Sequence, residues 1–100
     1  MSHGIEAADR SARAHLQSLQ DDLGHEHPEL EAPIARLAEL SRVQGKMLVA
    51  RAFMRRLVHL RVVLYGADHP VVARTRGELE ALGDEPSRGS QWTASVVLNG

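Results

Sequence analysis

The six residues at positions 23–28 read LGHEHP, and the six at positions 65–70 read YGADHP. Identical residues in the two copies are 42 positions apart: Gly24 with Gly66, His27 with His69, and Pro28 with Pro70. The same spacing relates apolar positions elsewhere, among them Leu37 with Leu79, Leu40 with Leu82, and Ala8 with Ala50. An offset that holds through glycine, proline and leucine positions indicates an internal repeat of 42 residues.

Each copy of this stretch has the composition of a connection between two helices. The glycine can adopt the positive φ that ends a helix. The proline suits the first turn of the following helix, where its missing N–H is not needed. The histidine before each proline is then expected near the N-cap of that helix. The repeat therefore predicts helix–turn–helix units.

Between these connections, apolar residues recur every three to four positions, which is the spacing of one face of an α-helix. The spacing predicts four helices, at about 5–22, 29–43, 47–64 and 71–82, with a short turn at 44–46. Pro33 conflicts with a regular helix from residue 29, so we expect either an irregular first turn or a helix that starts nearer Pro33. Gly77 weakens the fourth helix by about 1 kcal/mol relative to alanine.

The chain of 100 residues divides into two parts. Residues 1–83 contain the repeat and are expected to form one all-α domain. Residues 84–100 begin with the polar linker DEPSRGS and continue into a tail with the apolar residues Trp92, Val96, Val97 and Leu98. Arrays of helical repeats usually need about three units, because each unit buries its apolar face only against its neighbours. This chain has one complete helix pair, at about 29–64, with a single helix (half a unit) on either side of it.

The 42-residue unit with its Leu-Gly-x-x-His-Pro motif resembles the tetratricopeptide repeat in its longer kinesin-light-chain form. The resemblance covers about residues 5–82 and is strongest over residues 27–45, HPELEAPIARLAELSRVQG. It implies antiparallel helix-turn-helix repeats, a truncated fragment of an α-solenoid. It also implies a scaffold or adaptor whose first helices offer a concave face to a protein or peptide partner. On the polar face of helix 29–43, Arg36, Glu39 and Arg42 are the candidate contacts.

The composition and motifs point away from catalysis. Cysteine is absent, which excludes disulfides, thiolate metal sites and cysteine nucleophiles. The sequence has no nucleophile elbow, zinc-protease motif or glycine-rich phosphate loop. His25 and Glu26 are of zinc-ligating types, but His27 and His69 are repeat-equivalent and better explained as helix caps. We expect no enzyme activity, no metal and no cofactor.

The N-terminal residues MSHGIE lack the basic and apolar regions of a secretory signal. The longest uncharged apolar stretches, such as residues 62–65, are far too short to span a bilayer. These features predict a cytoplasmic protein without a membrane partner.

Charge is distributed unevenly along the chain. Residues 41–77 carry eight basic side chains and one acidic side chain, whereas both flanks are acidic. One explanation is that neighbouring helices carry complementary charges, and the other is an anion-binding surface. Arg51, Arg55 and Arg56 cluster on helix 47–64, as phosphate binding requires. Nucleic acid or another polyanion is therefore the alternative partner, although no aromatic residue is interleaved for base stacking.

Helix 47–64 is also more apolar than one buried face requires. Val58, Val62 and Val63 lie off its main apolar stripe, and a helix that is apolar on nearly all sides is normally buried on nearly all sides. These valines are candidates for self-association, which would give a homodimer. The competing explanations are docking on a larger repeat protein, folding of the tail 84–100 back onto the helix, and a loosely packed remnant of a longer array.

Overall fold

The computed structural model describes residues 2–83, which contain four α-helices and no strand. The helices are α1 (Ser2–Leu23), α2 (Glu31–Val43), α3 (Met47–Tyr65) and α4 (Pro70–Ala81), and a 3₁₀ turn at Pro28–Leu30 precedes α2. The prediction of an all-α fold with four helices is confirmed. The segment 84–100, assigned from the sequence as linker and tail, lies outside the described residues.

The two connections predicted from the repeat have the same local structure. Gly24 and Gly66 both have positive φ, at 86° and 97°, a conformation that L side chains rarely adopt. The Nδ1 atom of His27 accepts a hydrogen bond from the N–H of Glu29 at 3.1 Å, and that of His69 accepts one from the N–H of Val71 at 3.0 Å. Both histidines therefore cap a helical segment, as expected.

Pro33 is accommodated by the irregular start of the second helix. The 3₁₀ turn at Pro28–Leu30 provides the first turn, and α2 begins only at Glu31. Pro33 is thus the third residue of α2, where backbone N–H groups have no partner within the helix. Its ring costs no helical hydrogen bond there, and its side chain is buried.

Consecutive helices pack against each other, with α2 between α1 and α3, and α3 between α2 and α4. Polar contacts show that α2 is antiparallel to α1 and to α3. Gln44, just after α2, donates to Asp9 in the first half of α1 at 2.9 Å. Arg61, near the end of α3, donates to Glu31 at the start of α2 at 3.0 Å.

The apolar core lies where the first three helices meet. Its buried members share helical spacing and face inward from α1, α2, α3 and the 3₁₀ turn: Ala12, Leu16, Leu30, Ile34, Leu37, Ala38, Met54, Leu57 and Leu60. From α4, Val72 is fully buried, while Leu79 packs against the cluster from its edge. Across residues 2–83, no helix has both the length and the apolar character needed to cross a membrane.

Candidate interaction groove

A groove lies between α2 and α4 and has α3 as its floor. Its volume is about 500 Å³, within the roughly 300–1,000 Å³ typical of ligand pockets. Side chains from three consecutive helices and the residue after α4 line it: Ala35, Ala38, Glu39, Arg42, Met54, Leu57, Arg61, Val71, Arg74, Glu78, Ala81 and Leu82.

The floor of the groove is apolar because it is the outer edge of the core. Met54 and Leu57 lie three residues apart on α3, so they project from the same helix face. Both are buried, as is Ala38 on α2. The small side chain of Ala38 leaves the space between the helices open above them. An apolar group of a ligand would meet carbon atoms here.

Charged side chains form the rim. On α2, Arg42 donates to Glu39 from Nε at 3.1 Å and also from Nη2. The hydrogen bond from Arg42 holds the pKa of Glu39 below its ordinary value, against the opposing effect of burial. On α4, Arg74 and Glu78 are exposed and make no hydrogen bond or ion pair with any residue from 2 to 83. The α4 side of the rim therefore offers one charge of each sign to a ligand.

Arg61 on the groove lining belongs to a polar network that joins three helices. Its Nε donates to Glu31 of α2 at 3.0 Å, and its Nη1 donates to Thr75 of α4 at 2.8 Å. The hydroxyl of Tyr65 donates to the same Glu31 carboxylate at 2.8 Å. This hydrogen bond, helped by partial burial and the negative charge of Glu31, raises the pKa of Tyr65. The network fixes the position of α4 relative to α2, and hence the position of the groove walls.

A smaller depression of about 190 Å³ lies between α1 and α2. Three of its lining residues, Ala12, His15 and Arg36, are 42 positions before lining residues of the larger groove, which are Met54, Leu57 and Glu78. Half of the residues that line the depression thus correspond to residues of the larger groove at the 42-residue offset. The depression is bounded by α1 and α2 alone among the described helices.

The structure separates the three partner contacts expected from the sequence. Glu39 and Arg42 line the larger groove, whereas Arg36 lines the smaller depression beside α1. Arg74 and Glu78, the groove residues of α4, were not among the partner contacts predicted from the sequence. The signal that could have found Glu78 is the repeat itself, because Glu78 is the equivalent of Arg36.

The self-association candidates are not equally accessible. Val58 and Val62 are half-buried, and Val63 is 45% exposed. Leu48 is the most exposed large apolar residue of α3 at 72%, but Leu48 and Val63 are about 22 Å apart along the helix axis. Exposed Arg55 and His59 lie between them along the chain, so the two residues do not form a continuous apolar patch.

The arginines of α3 do not form one exposed cluster. Arg51 is only 6% exposed, and Arg61 is held by Glu31 and Thr75. Arg56 is half-buried, and burial lowers its pKa from the ordinary value. Arg55 remains exposed. A polyanion would therefore meet fewer cations on this helix than the sequence alone indicates.

Within residues 2–83, histidine, aspartate and glutamate side chains do not come together in a group of three or more that could hold a metal ion. Comparison of the chain with protein-family models, with curated proteins and with solved structures finds no match.

Proposed function

We propose that the chain is a non-catalytic interaction module of the tetratricopeptide-repeat type, which binds a peptide segment of a protein partner in the groove between α2 and α4. The observation that carries the proposal is the combination of a buried apolar floor with a rim on which Arg74 and Glu78 present charges of both signs that have no partner among residues 2–83. Apolar anchors give affinity in such sites, and a few placed polar groups give orientation. The 12 residues of α4 are about 18 Å long, which accommodates about five extended residues of a peptide.

The repeat-type assignment is supported by features that recur after 42 residues. Both helix connections have a glycine with positive φ followed by a capping histidine and a proline. The larger groove and the smaller depression also share lining positions at this offset. Recurrence of caps, turns and grooves at one offset is expected of stacked helix pairs.

A matched pair of variants on α4 tests the proposal. Peptides are selected from a displayed library of random 12-residue sequences on the full chain, and their affinities are measured by calorimetry. Arg74→Glu reverses a rim charge of the groove, whereas Arg76→Glu reverses a charge that is also exposed on the same helix but does not line the groove. We expect Arg74→Glu to change the affinity about tenfold, equivalent to about 1.4 kcal/mol, and Arg76→Glu to leave it unchanged.

The proposal fails if no peptide is selected, or if the two variants change the affinity equally. Single-stranded RNA and DNA are measured in the same assay as the alternative ligands. Tight, salt-dependent binding of either would favour the polyanion interpretation, which the burial of Arg51 and the pairing of Arg61 make less favourable.

Self-association stays a prediction. Light scattering over a range of protein concentrations measures it, and Val62→Glu together with Val63→Glu should separate a dimer that uses this part of α3.

A further inference from the structure

We propose that the apolar tail at residues 92–98 of the same chain occupies the groove between α2 and α4, so that an outside peptide must displace it. The inference rests on the proposed function, because it names the groove's resident occupant. Three observations carry it: the apolar floor of the groove, the point at which the chain leaves it, and the composition of the tail.

The described chain ends beside the groove. Ala81 and Leu82 are lining residues, and Gly83 follows immediately with a φ of +82°. The chain that continues from Gly83 therefore starts at one end of the groove. From there, only a short length of chain is needed to reach the floor at Met54 and Leu57.

The linker is long enough for this return. Eight residues separate Gly83 from Trp92, and an extended chain of that length spans about 28 Å. The α4 wall of the groove is about 18 Å long. Trp92 can therefore reach any position along the groove, including the apolar floor.

The tail has the chemistry that the floor requires. Residues 89–100 contain no charged side chain, and the apolar group within them comprises Trp92, Val96, Val97 and Leu98. Seating this segment against Val71, Ala81 and Leu82, the groove residues that keep exposed apolar surface, removes apolar surface from water on both sides without burying a charge of the tail. A tryptophan alone buries about 150–250 Å² of surface in such a contact.

Tethering makes even a weak contact effective. A short linker holds a segment near its site at an effective concentration on the order of millimolar. Leu48 and Val63 on the outer side of α3 are a less suitable target, because Arg55 and His59 lie between them. The tail is thus an internal competitor for any outside peptide, and it regulates access to the groove.

The single tryptophan provides the test, because Trp92 is the only one in the chain. Fluorescence of the full chain is recorded with acrylamide as a quencher and N-acetyltryptophanamide as the reference. We expect emission at shorter wavelength than the reference and several-fold weaker quenching. Ala81→Arg, at the groove, should abolish this protection, whereas Ala73→Arg, exposed on the same helix outside the groove, should preserve it.

Each other result overturns the inference. Emission and quenching equal to the reference would show that Trp92 is in water. Equal effects of the two arginine variants would show that the tail is bound elsewhere. Protection that is lost on dilution would show that the tail occupies the groove of a second copy.

A second measurement separates this inference from the proposed function. Trp92→Ala in the full chain should strengthen binding of a library-selected peptide several-fold, because the competitor is removed. Equal binding to both chains would refute the tail's role and leave the peptide groove intact. Absence of binding to both would refute the peptide groove, and Trp92 protection would still report on the tail.

Discussion

The groove between α2 and α4 and the depression between α1 and α2 share lining positions 42 residues apart, but their volumes are about 500 Å³ and 190 Å³. The larger one has a helix on each side and an apolar floor that includes Met54 and Leu57. Among the described helices, only α1 and α2 bound the smaller one, which has Ala12 and His15 at the corresponding positions. Three consecutive helices thus enclose the larger volume, and the smaller depression has a shorter apolar side chain and an imidazole at the positions of Met54 and Leu57.

The largest expected difference between the two sites is in how much their floor residues contribute to the free energy of unfolding. Leu57→Ala removes a buried side chain and should lower the free energy of unfolding by about 2–5 kcal/mol. His15→Ala changes the equivalent but exposed residue and should alter it by less than about 0.5 kcal/mol. Urea unfolding followed by circular dichroism measures both values. Similar losses would show that the two floors are packed alike.

The polar network occurs at only one of the two sites, because Leu19 stands at the position equivalent to Arg61. Arg61→Met removes the guanidinium donor of Thr75 and one of the two donors of Glu31, which keeps the Tyr65 hydroxyl, and should cost about 2 kcal/mol. Arg56→Met, on the same helix, removes no hydrogen bond to another described residue and should cost less than about 0.5 kcal/mol. Thermal unfolding of the two variants gives the comparison. An equal cost would mean that the network does not hold α4 in place.

The histidine caps are the feature that the two regions share. His27→Ala and His69→Ala should each cost about 1 kcal/mol, since each frees one backbone N–H. The cost should be larger at His69, whose ring also lies 5.1 Å from that of Tyr65. Asparagine at either position retains an acceptor and should restore most of the loss in thermal unfolding. If asparagine does not restore it, the lost stability came from contacts of the imidazole ring and not from the capping hydrogen bond.

The smallest expected effect is a pH dependence of stability that arises from Asp9 on α1. Burial raises the pKa of Asp9, but hydrogen bonds from Arg13 and Gln44 outweigh it, so this pKa lies below its ordinary value. The ionised carboxylate therefore stabilises the fold above the unfolded-state pKa of about 3.9, and this stability is lost as the pH falls through the folded-state pKa. Asp9→Asn should lower the melting temperature at pH 7 and have less effect near pH 2. An effect that grows in acid would contradict this assignment.

The repeated Gly-x-x-His-Pro motif at residues 24–28 and 66–70 allowed much of the fold to be predicted. Glycine, histidine and proline act within a few residues of their own position, so the four helices and both caps follow from the local sequence. The helix starts were less certain, because apolar spacing identifies the buried face of a helix and not its first turn: α1 begins at Ser2, three residues before the predicted start. At Pro33 the sequence left two alternatives, and the 3₁₀ turn before α2 is the irregular first turn that one of them required.

The candidate groove was harder to predict, because it depends on contacts between distant parts of the chain. Glu39 and Arg42 were found from the polar face of one helix, whereas Arg74 and Glu78 join them only through the packing of α4. Arg61 and Glu31 are 30 residues apart and match no repeated pattern. The burial of Arg51 is likewise a result of tertiary packing, and the helical spacing of the arginines gave no indication of it.

The packing of each helix against its neighbours in the sequence has a kinetic consequence. The principal contacts join α1 to α2, α2 to α3, and α3 to α4, so the loops that must close during folding are short and lose little entropy. Chains dominated by local contacts fold in microseconds to milliseconds. A helix pair such as α2 and α3 can therefore form first and serve as the surface on which α1 and α4 assemble.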